Sequence, residues 1–181
     1  MNMWTEDLVL PEELRKERLQ KEPASYTAWI LGKSGKTQEK KRKAVIICPG
    51  GGYEHLSPRE GEPIAMKYLA MGCHVFVLHY SLAPERFPTA LRELALLTAK
   101  IREHADEWLI DPEGIIVSGF SAGGHLALSL GAHWDKEWLS GPLGLTPEQI
   151  RPNGLILCYP VVTAGKGCHR GSVERLLWGQ M

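Results

Sequence analysis

The chain carries no net charge, with 21 Lys and Arg against 21 Asp and Glu in 181 residues. That balance removes the electrostatic footprint on which general nucleic-acid binding depends. No stretch approaches the roughly 18 uninterrupted apolar residues of a membrane-spanning helix, so no membrane association is expected. The opening residues, MNMWTEDLVLPEELRK, lack a basic start followed by an apolar run and do not read as a secretory signal, which makes the cytoplasm the expected location. Cys48, Cys73, Cys158 and Cys168 are too dispersed for a C-x-x-C or Cys/His metal pattern. They are expected to be reduced thiols packed as small hydrophobes, with no metal and no cofactor. Internal repeats and low-complexity segments are also missing. What remains is a chain that is 44% hydrophobic, enough for one sizeable core in a single domain.

Short β-like runs alternate with longer helical ones, which points to an α/β fold with a mostly parallel sheet between two helical layers. The strands are expected at Ala44–Cys48, His74–Tyr80, Gly114–Ser118 and Gly154–Tyr159, all apolar nearly throughout, as strands covered on both faces must be. Helices are expected over Glu60–Met71, Pro88–Trp108 and Ala122–Trp134, where apolar residues recur at helical spacing. Before them, Tyr26–Leu31 reads as an antiparallel edge strand followed by the charged turn GKSGKTQEKKRK. The glycines of that turn, Gly32 and Gly35, are too close together for a phosphate-binding loop, and the basic cluster Lys40–Lys43 has no interleaved aromatics. Both read as a solvated turn.

Chemistry is concentrated in two glycine-rich turns. Gly119-Phe120-Ser121-Ala122-Gly123 is a G-x-S-x-G placed between the strand GIIVS and an apolar helix, the context in which a sharp strand-to-helix turn exposes a serine hydroxyl. Glycines at 119 and 123 supply room beside that turn. The helix beginning after Ser121 directs unpaired N–H groups toward any anion that develops there. The second turn, Pro49-Gly50-Gly51-Gly52-Tyr53, also follows a buried strand. The N–H groups of Gly51 and Gly52, with that of Ala122, would form an oxyanion hole for acyl transfer. A phosphate-cradling turn is the rival reading, weakened because G-x-G-x-x-G is not matched and no acidic residue ends the next strand.

Together, PGGGY, LSPREGEPIA, VLHYSLAPERFP, GFSAGGHLA and GLILCYPVV resemble the α/β-hydrolase superfamily, in particular its acetyl-esterase and lipase-like branch related to hormone-sensitive lipase. The resemblance runs from about Ala44 to Trp178. It implies Ser121 as nucleophile and Gly51, Gly52 and Ala122 as oxyanion donors. The implied substrate is a small carboxylic ester with a short acyl chain, including acetylated sugars. It divides the chain into an N-terminal edge strand and turns (1–43), a core (44–162) and the start of a cap region (163–181). Pro49 departs from the histidine that many relatives carry before the glycines. In the family an acid and a histidine follow on a seventh and an eighth strand. Only nineteen residues follow Val162, so an incomplete α/β-hydrolase fold lacking those two strands, and of low activity, is expected.

No other residue replaces the base convincingly. The resemblance implies that His125 belongs to the serine motif and is not the base; His133 lies some 18 Å along the helix at 1.5 Å per residue, and His55 and His74 precede the serine. His169 follows Asp135, Glu137 and Glu148, but those acids precede the sixth strand, so geometry decides its role. Three readings stay open: an ester hydrolase, a non-catalytic binding protein on the same fold, and a phosphate- or nucleotide-binding module. A sheet ending at its sixth strand would also leave an apolar edge, so a homo-oligomer through that edge is a further expectation.

Overall fold

The computed structural model describes residues 1–32 and 41–177. The turn read as GKSGKTQEKKRK therefore lies mostly outside the described residues, as does Trp178. The strands are β1 (Asn2–Leu8), β2 (Ala24–Ile30), β3 (Arg42–Cys48), β4 (His74–His79), β5 (Ile110–Phe120) and β6 (Gly154–Cys158). The helices are α1 (Glu12–Lys16), α2 (Glu62–Ala70), α3 (Thr89–Glu103), α4 (Ala122–His133), α5 (Glu137–Ser140), α6 (Pro147–Ile150) and α7 (Arg170–Leu177). One sheet has the order β1-β2-β4-β3-β5-β6, with β3 parallel to β4 and β5, and β6 parallel to β5. The two N-terminal strands are antiparallel.

Alternation along β3 shows why this sheet is covered on both faces. Ala44, Ile46 and Cys48 enter a large core shared with α3 and α4, whereas Val45 and Ile47 enter a smaller one under α2. All five are essentially inaccessible to water. Each face thus buries apolar side chains, and each Val or Ile among them is worth roughly 1.5–3 kcal/mol when fully removed from water. The mostly parallel α/β/α architecture follows from this two-sided burial.

Two expectations about the N-terminal region require correction. Tyr26–Leu31 was expected at the sheet edge, but β2 is second from it, and β1 holds the edge. Lys43, read with its neighbours as a surface turn, instead lies with Arg42 inside β3. In β1, Trp4, Glu6 and Leu8 alternate with the exposed Met3, Thr5 and Asp7. The polar side chain at position 6 interrupts the apolar pattern, yet it is accommodated: Tyr26 donates its hydroxyl to Glu6 at 2.7 Å and Lys100 pairs with the same carboxylate. Trp4 packs edge-on against Trp108, with ring centres 5.5 Å apart.

A polar network fastens the segment after α1 to the core. Arg18 donates to the Glu22 carbonyl at 2.8 Å and to Ser81 Oγ at 2.9 Å, and it stands 3.5 Å from Glu85 and 3.8 Å from Glu93. Ser81 donates its N–H and its hydroxyl to Glu93 at 2.8 and 2.5 Å. Glu93 on α3 is fully buried, and that burial pushes its carboxyl from 4.5 up to about 7 despite those bonds. The folded state therefore holds this proton more tightly than the unfolded chain. The associated stability is complete below pH 4.5 and is lost as pH rises toward 7. Buried histidines with lowered pKa values act in the opposite sense, so the difference between wild type and Glu93→Gln isolates the carboxyl. The melting temperature of wild type relative to that variant is expected to fall between about pH 5 and pH 7.5. A pH-independent difference in thermal melts would contradict this assignment.

Candidate active site

Ser121 stands between β5 and α4 with φ 51° and ψ −114°, a conformation that residues with side chains rarely adopt. Such a conformation costs on the order of 1–3 kcal/mol and persists only where its surroundings determine it. Here the backbone is held on both sides. Ser121 donates its N–H to the Cys158 carbonyl at 3.0 Å, and its own carbonyl accepts from His125 at 3.0 Å and Val161 at 3.1 Å. A Cβ at Gly119 would collide with the Gly123 carbonyl, and one at Gly123 with the carbonyl oxygens of Cys48 and Pro49. The steric reading of both glycines is thereby explained: three backbone segments cross with no side chain between them.

The PGGGY turn lies against the serine turn. A Cβ at Gly50 would sit 2.7 Å from the Phe120 carbonyl and 3.0 Å from the Ser121 Cβ. Most of the turn's polar groups are already engaged. Tyr80 donates its hydroxyl to the Pro49 carbonyl at 2.6 Å, and Ser57 donates its N–H to the Gly50 carbonyl at 2.9 Å. Glu54 and His55 donate to the Gly51 carbonyl at 3.1 and 3.3 Å, and Gly50 donates to Glu60 Oε2 at 2.8 Å. Among the described residues, no acceptor is recorded for the N–H groups of Gly51, Gly52 or Ala122. Gly51, Gly52 and Tyr53 have φ values of 127°, 66° and 60°, which turn the chain sharply at this point.

Ser121, Gly51 and Gly52 line one open cavity of about 350 Å³, together with Glu54, His55, Glu60, Tyr159, His169 and Arg175. Ala122 follows Ser121 at the first position of α4 and is buried. Of the histidines considered from sequence, His55 and His169 reach this cavity, while His125 and His133 line a second, more apolar one of about 250 Å³. His125 Nδ1 shares a proton with the Tyr53 hydroxyl at 2.8 Å, and burial holds the ring below its usual pKa. His74 is buried at the start of β4, where its Nδ1 accepts the Leu31 N–H at 3.1 Å. His169 bonds through Nδ1 to Ser172 Oγ at 2.7 Å. Asp135, Glu137 and Glu148 are exposed and do not line the serine's cavity. Among the described residues, no side-chain hydrogen bond reaches Ser121 Oγ, and no cluster of three or more His, Cys, Asp or Glu is arranged for a metal.

Sequence reasoning missed two polar pairs that line the serine's cavity. Arg175 on α7 pairs with Glu54 at 2.6 Å, and Tyr159 donates its hydroxyl to Glu60 Oε1 at 2.6 Å. That bond to a carboxylate, aided by desolvation, pushes the phenol up to about 12. Neither contact has a local signature, because they join residues 121 and 99 positions apart.

A family model described as the alpha/beta hydrolase fold matches residues 45–176. The chain belongs to the alpha/beta hydrolase fold family. This hydrolase-fold chain is 35% identical over 141 residues to endo-1,4-beta-xylanase B of Butyrivibrio fibrisolvens, covering 76% of this chain and 22% of that one. It is 30% identical over 122 residues to the acetylxylan esterase of Xylanibacter ruminicola, covering 67% and 23%. Its structure resembles the acetyl ester-xyloside bifunctional hydrolase from Caldicellulosiruptor lactoaceticus, with a TM-score of 0.82, 30% identity, and coverage of 96% of this chain and 63% of that one. The chain thus spans less than a quarter of those curated relatives' length and under two thirds of that solved chain. No helix among the described residues is long and apolar enough to cross a membrane.

The crossing of backbones makes a direct prediction for the hydrolase fold. Gly123→Ala forces a methyl group against the Cys48 and Pro49 carbonyls and is expected to lower stability by about 3 kcal/mol or prevent folding. Gly144→Ala places its methyl in open space, although at φ 68°, and is expected to cost about 1 kcal/mol. Equal thermal melts for the two variants would contradict the steric account.

Proposed function

We propose that this chain carries the nucleophilic half of a carboxylic-ester hydrolase site acting on short-chain acyl esters, acetylated sugars included. The observation that carries the proposal is the contact between the two turns: a strained serine beside glycine N–H groups that have no protein acceptor among the described residues. In this reading Ser121 Oγ attacks the ester carbonyl carbon and its proton passes to a base. The former carbonyl oxygen takes the negative charge, which the N–H groups of Gly51, Gly52 and Ala122 stabilise. Collapse of the tetrahedral intermediate breaks the bond to the alcohol, which leaves with a proton. Water then attacks the acyl-serine and releases the carboxylic acid. The esterase relatives support this chemistry, and the polar cavity suits an alcohol portion bearing hydroxyl groups.

One observation favours a second reading, a binding protein without turnover. No base contacts Ser121 among the described residues, and the nearby His169 is bonded to Ser172 rather than to a carboxylate. The oxyanion donors alone sustain part of the rate in other serine hydrolases, so slow turnover is expected of these 181 residues.

Covalent capture is the sensitive test. A serine-directed phosphonate is expected to add one phosphonyl group to wild type and none to Ser121→Ala, as read by intact mass. Slow hydrolysis of a chromogenic acetyl ester should disappear in the same variant. Failure of both in wild type would overturn the hydrolase reading in favour of the binding one.

The outer edge of β6 has no strand beside it among the described residues, and Ile156 and Val162 are 37% and 63% exposed. An unpaired edge of this kind is a template for another chain. We propose self-association through it, so light scattering should give a mass above that of one chain. Dispersal by a Pro substitution at Ile156 would support the assignment, and a monomeric wild type would refute it.

A further inference from the structure

We infer that Glu60 is a positioning residue that sets the glycine turn against Ser121, an inference that rests on the ester-hydrolase reading above. The PGGGY turn has little stiffness of its own, because three successive glycines leave the backbone many alternatives. Its carbonyl groups are fixed by Tyr80, Ser57, Glu54 and His55. Its first N–H, that of Gly50, is fixed among the described residues by Glu60 Oε2 at 2.8 Å. The other oxygen of the same carboxylate accepts the Tyr159 hydroxyl at 2.6 Å.

Tyr159 directly follows Cys158, whose carbonyl accepts the Ser121 N–H at 3.0 Å. One carboxylate therefore bridges the strand end that supports the serine and the turn that offers its N–H groups. Its reach is set by a single 3-10 turn, Pro58–Glu60, closed by the Glu60 N–H on the Ser57 carbonyl at 3.1 Å. Carboxylate acceptors make shorter and stronger bonds than neutral ones, which suits the fixing of a flexible turn. A negative charge beside a developing oxyanion gives no direct stabilisation, so the benefit of Glu60 lies in geometry.

The test follows the kinetics of phosphonate labelling at Ser121 in the full 181-residue chain, resolved into half-saturating concentration and maximal labelling rate. Glu60→Ala is expected to lower the maximal rate on the order of 10- to 100-fold, within the range for a disturbed oxyanion donor, while half-saturation changes little. Glu60→Gln should recover most of the rate, since its amide oxygen accepts from Gly50 while its NH₂ donates to the Tyr159 oxygen. Glu60→Asp keeps the charge but is one methylene short, so it should resemble the alanine variant and serves if Glu60→Ala does not fold. A purely structural role would lower the melting temperature and leave the labelling rate of the folded protein unchanged, which would overturn this inference alone. Absence of labelling in wild type would overturn the hydrolase reading and the inference with it.

Discussion

Everything near Ser121 depends on one steric constraint, the crossing of backbone segments at a distance that excludes any Cβ. The carbonyls at the end of β3, the turn after β5 and the first turn of α4 occupy one small volume, possible only with glycine at 119 and 123. Pro160, after β6, closes the same volume from the side of Gly124, where a Cβ would lie 2.9 Å from its own. Loss of conformational freedom at these glycines opposes folding, and the buried strands on either side offset it. Strain at Ser121 is consequently a property of the packing around it rather than of its local sequence.

The glycine turn obeys a different constraint, the need to satisfy buried backbone groups. Acceptors on Pro49, Gly50 and Gly51 are consumed by Tyr80, Ser57, Glu54 and His55, which fixes the direction of the peptide planes. Once those planes are fixed, the next N–H groups have nowhere within the turn to bond. What this accounting leaves over is the N–H groups of Gly51 and Gly52, which have no protein acceptor among the described residues. Tyr53 ends the turn by burying its ring and sharing a proton with His125, which accounts for a histidine in the serine motif that does not face the serine's cavity.

The parallel core was legible because its strands are apolar on both faces and its helices keep a clear period, as at Leu91, Leu94 and Ala95 on α3. The serine turn was legible for a related reason, since strand, glycine, serine and helix are adjacent in sequence. Long-range polar pairing left no such trace. Glu93 sits within α3 like any surface carboxylate, and only the folded chain brings Ser81 and Arg18 to it. The edge strand β1 was obscured because Glu6 occupies an inward position and is made tolerable by Tyr26 and Lys100, 20 and 94 residues away. His169 reached the serine's cavity for the same kind of reason, through the docking of α7 rather than through any motif.

Sheet register explains why two turns 70 residues apart meet at all. Cys48 lies opposite Gly119 in the parallel pairing of β3 with β5, so PGGGY and the serine turn leave the sheet at the same level and from adjacent strands. Phe120 lies opposite Cys158 in the next pairing, which brings Tyr159 and Val161 to that level as well. A shift of one residue in either ladder would exchange the side chains packed under α2 for those packed under α3 and α4, so that two differently filled cores would no longer fit. The two-sided core therefore enforces the register, and the register enforces the meeting of serine, glycine amides and Glu60. Burial of Val45, Ile46 and Ile47, though remote from any chemistry, is what aims the turns at one another.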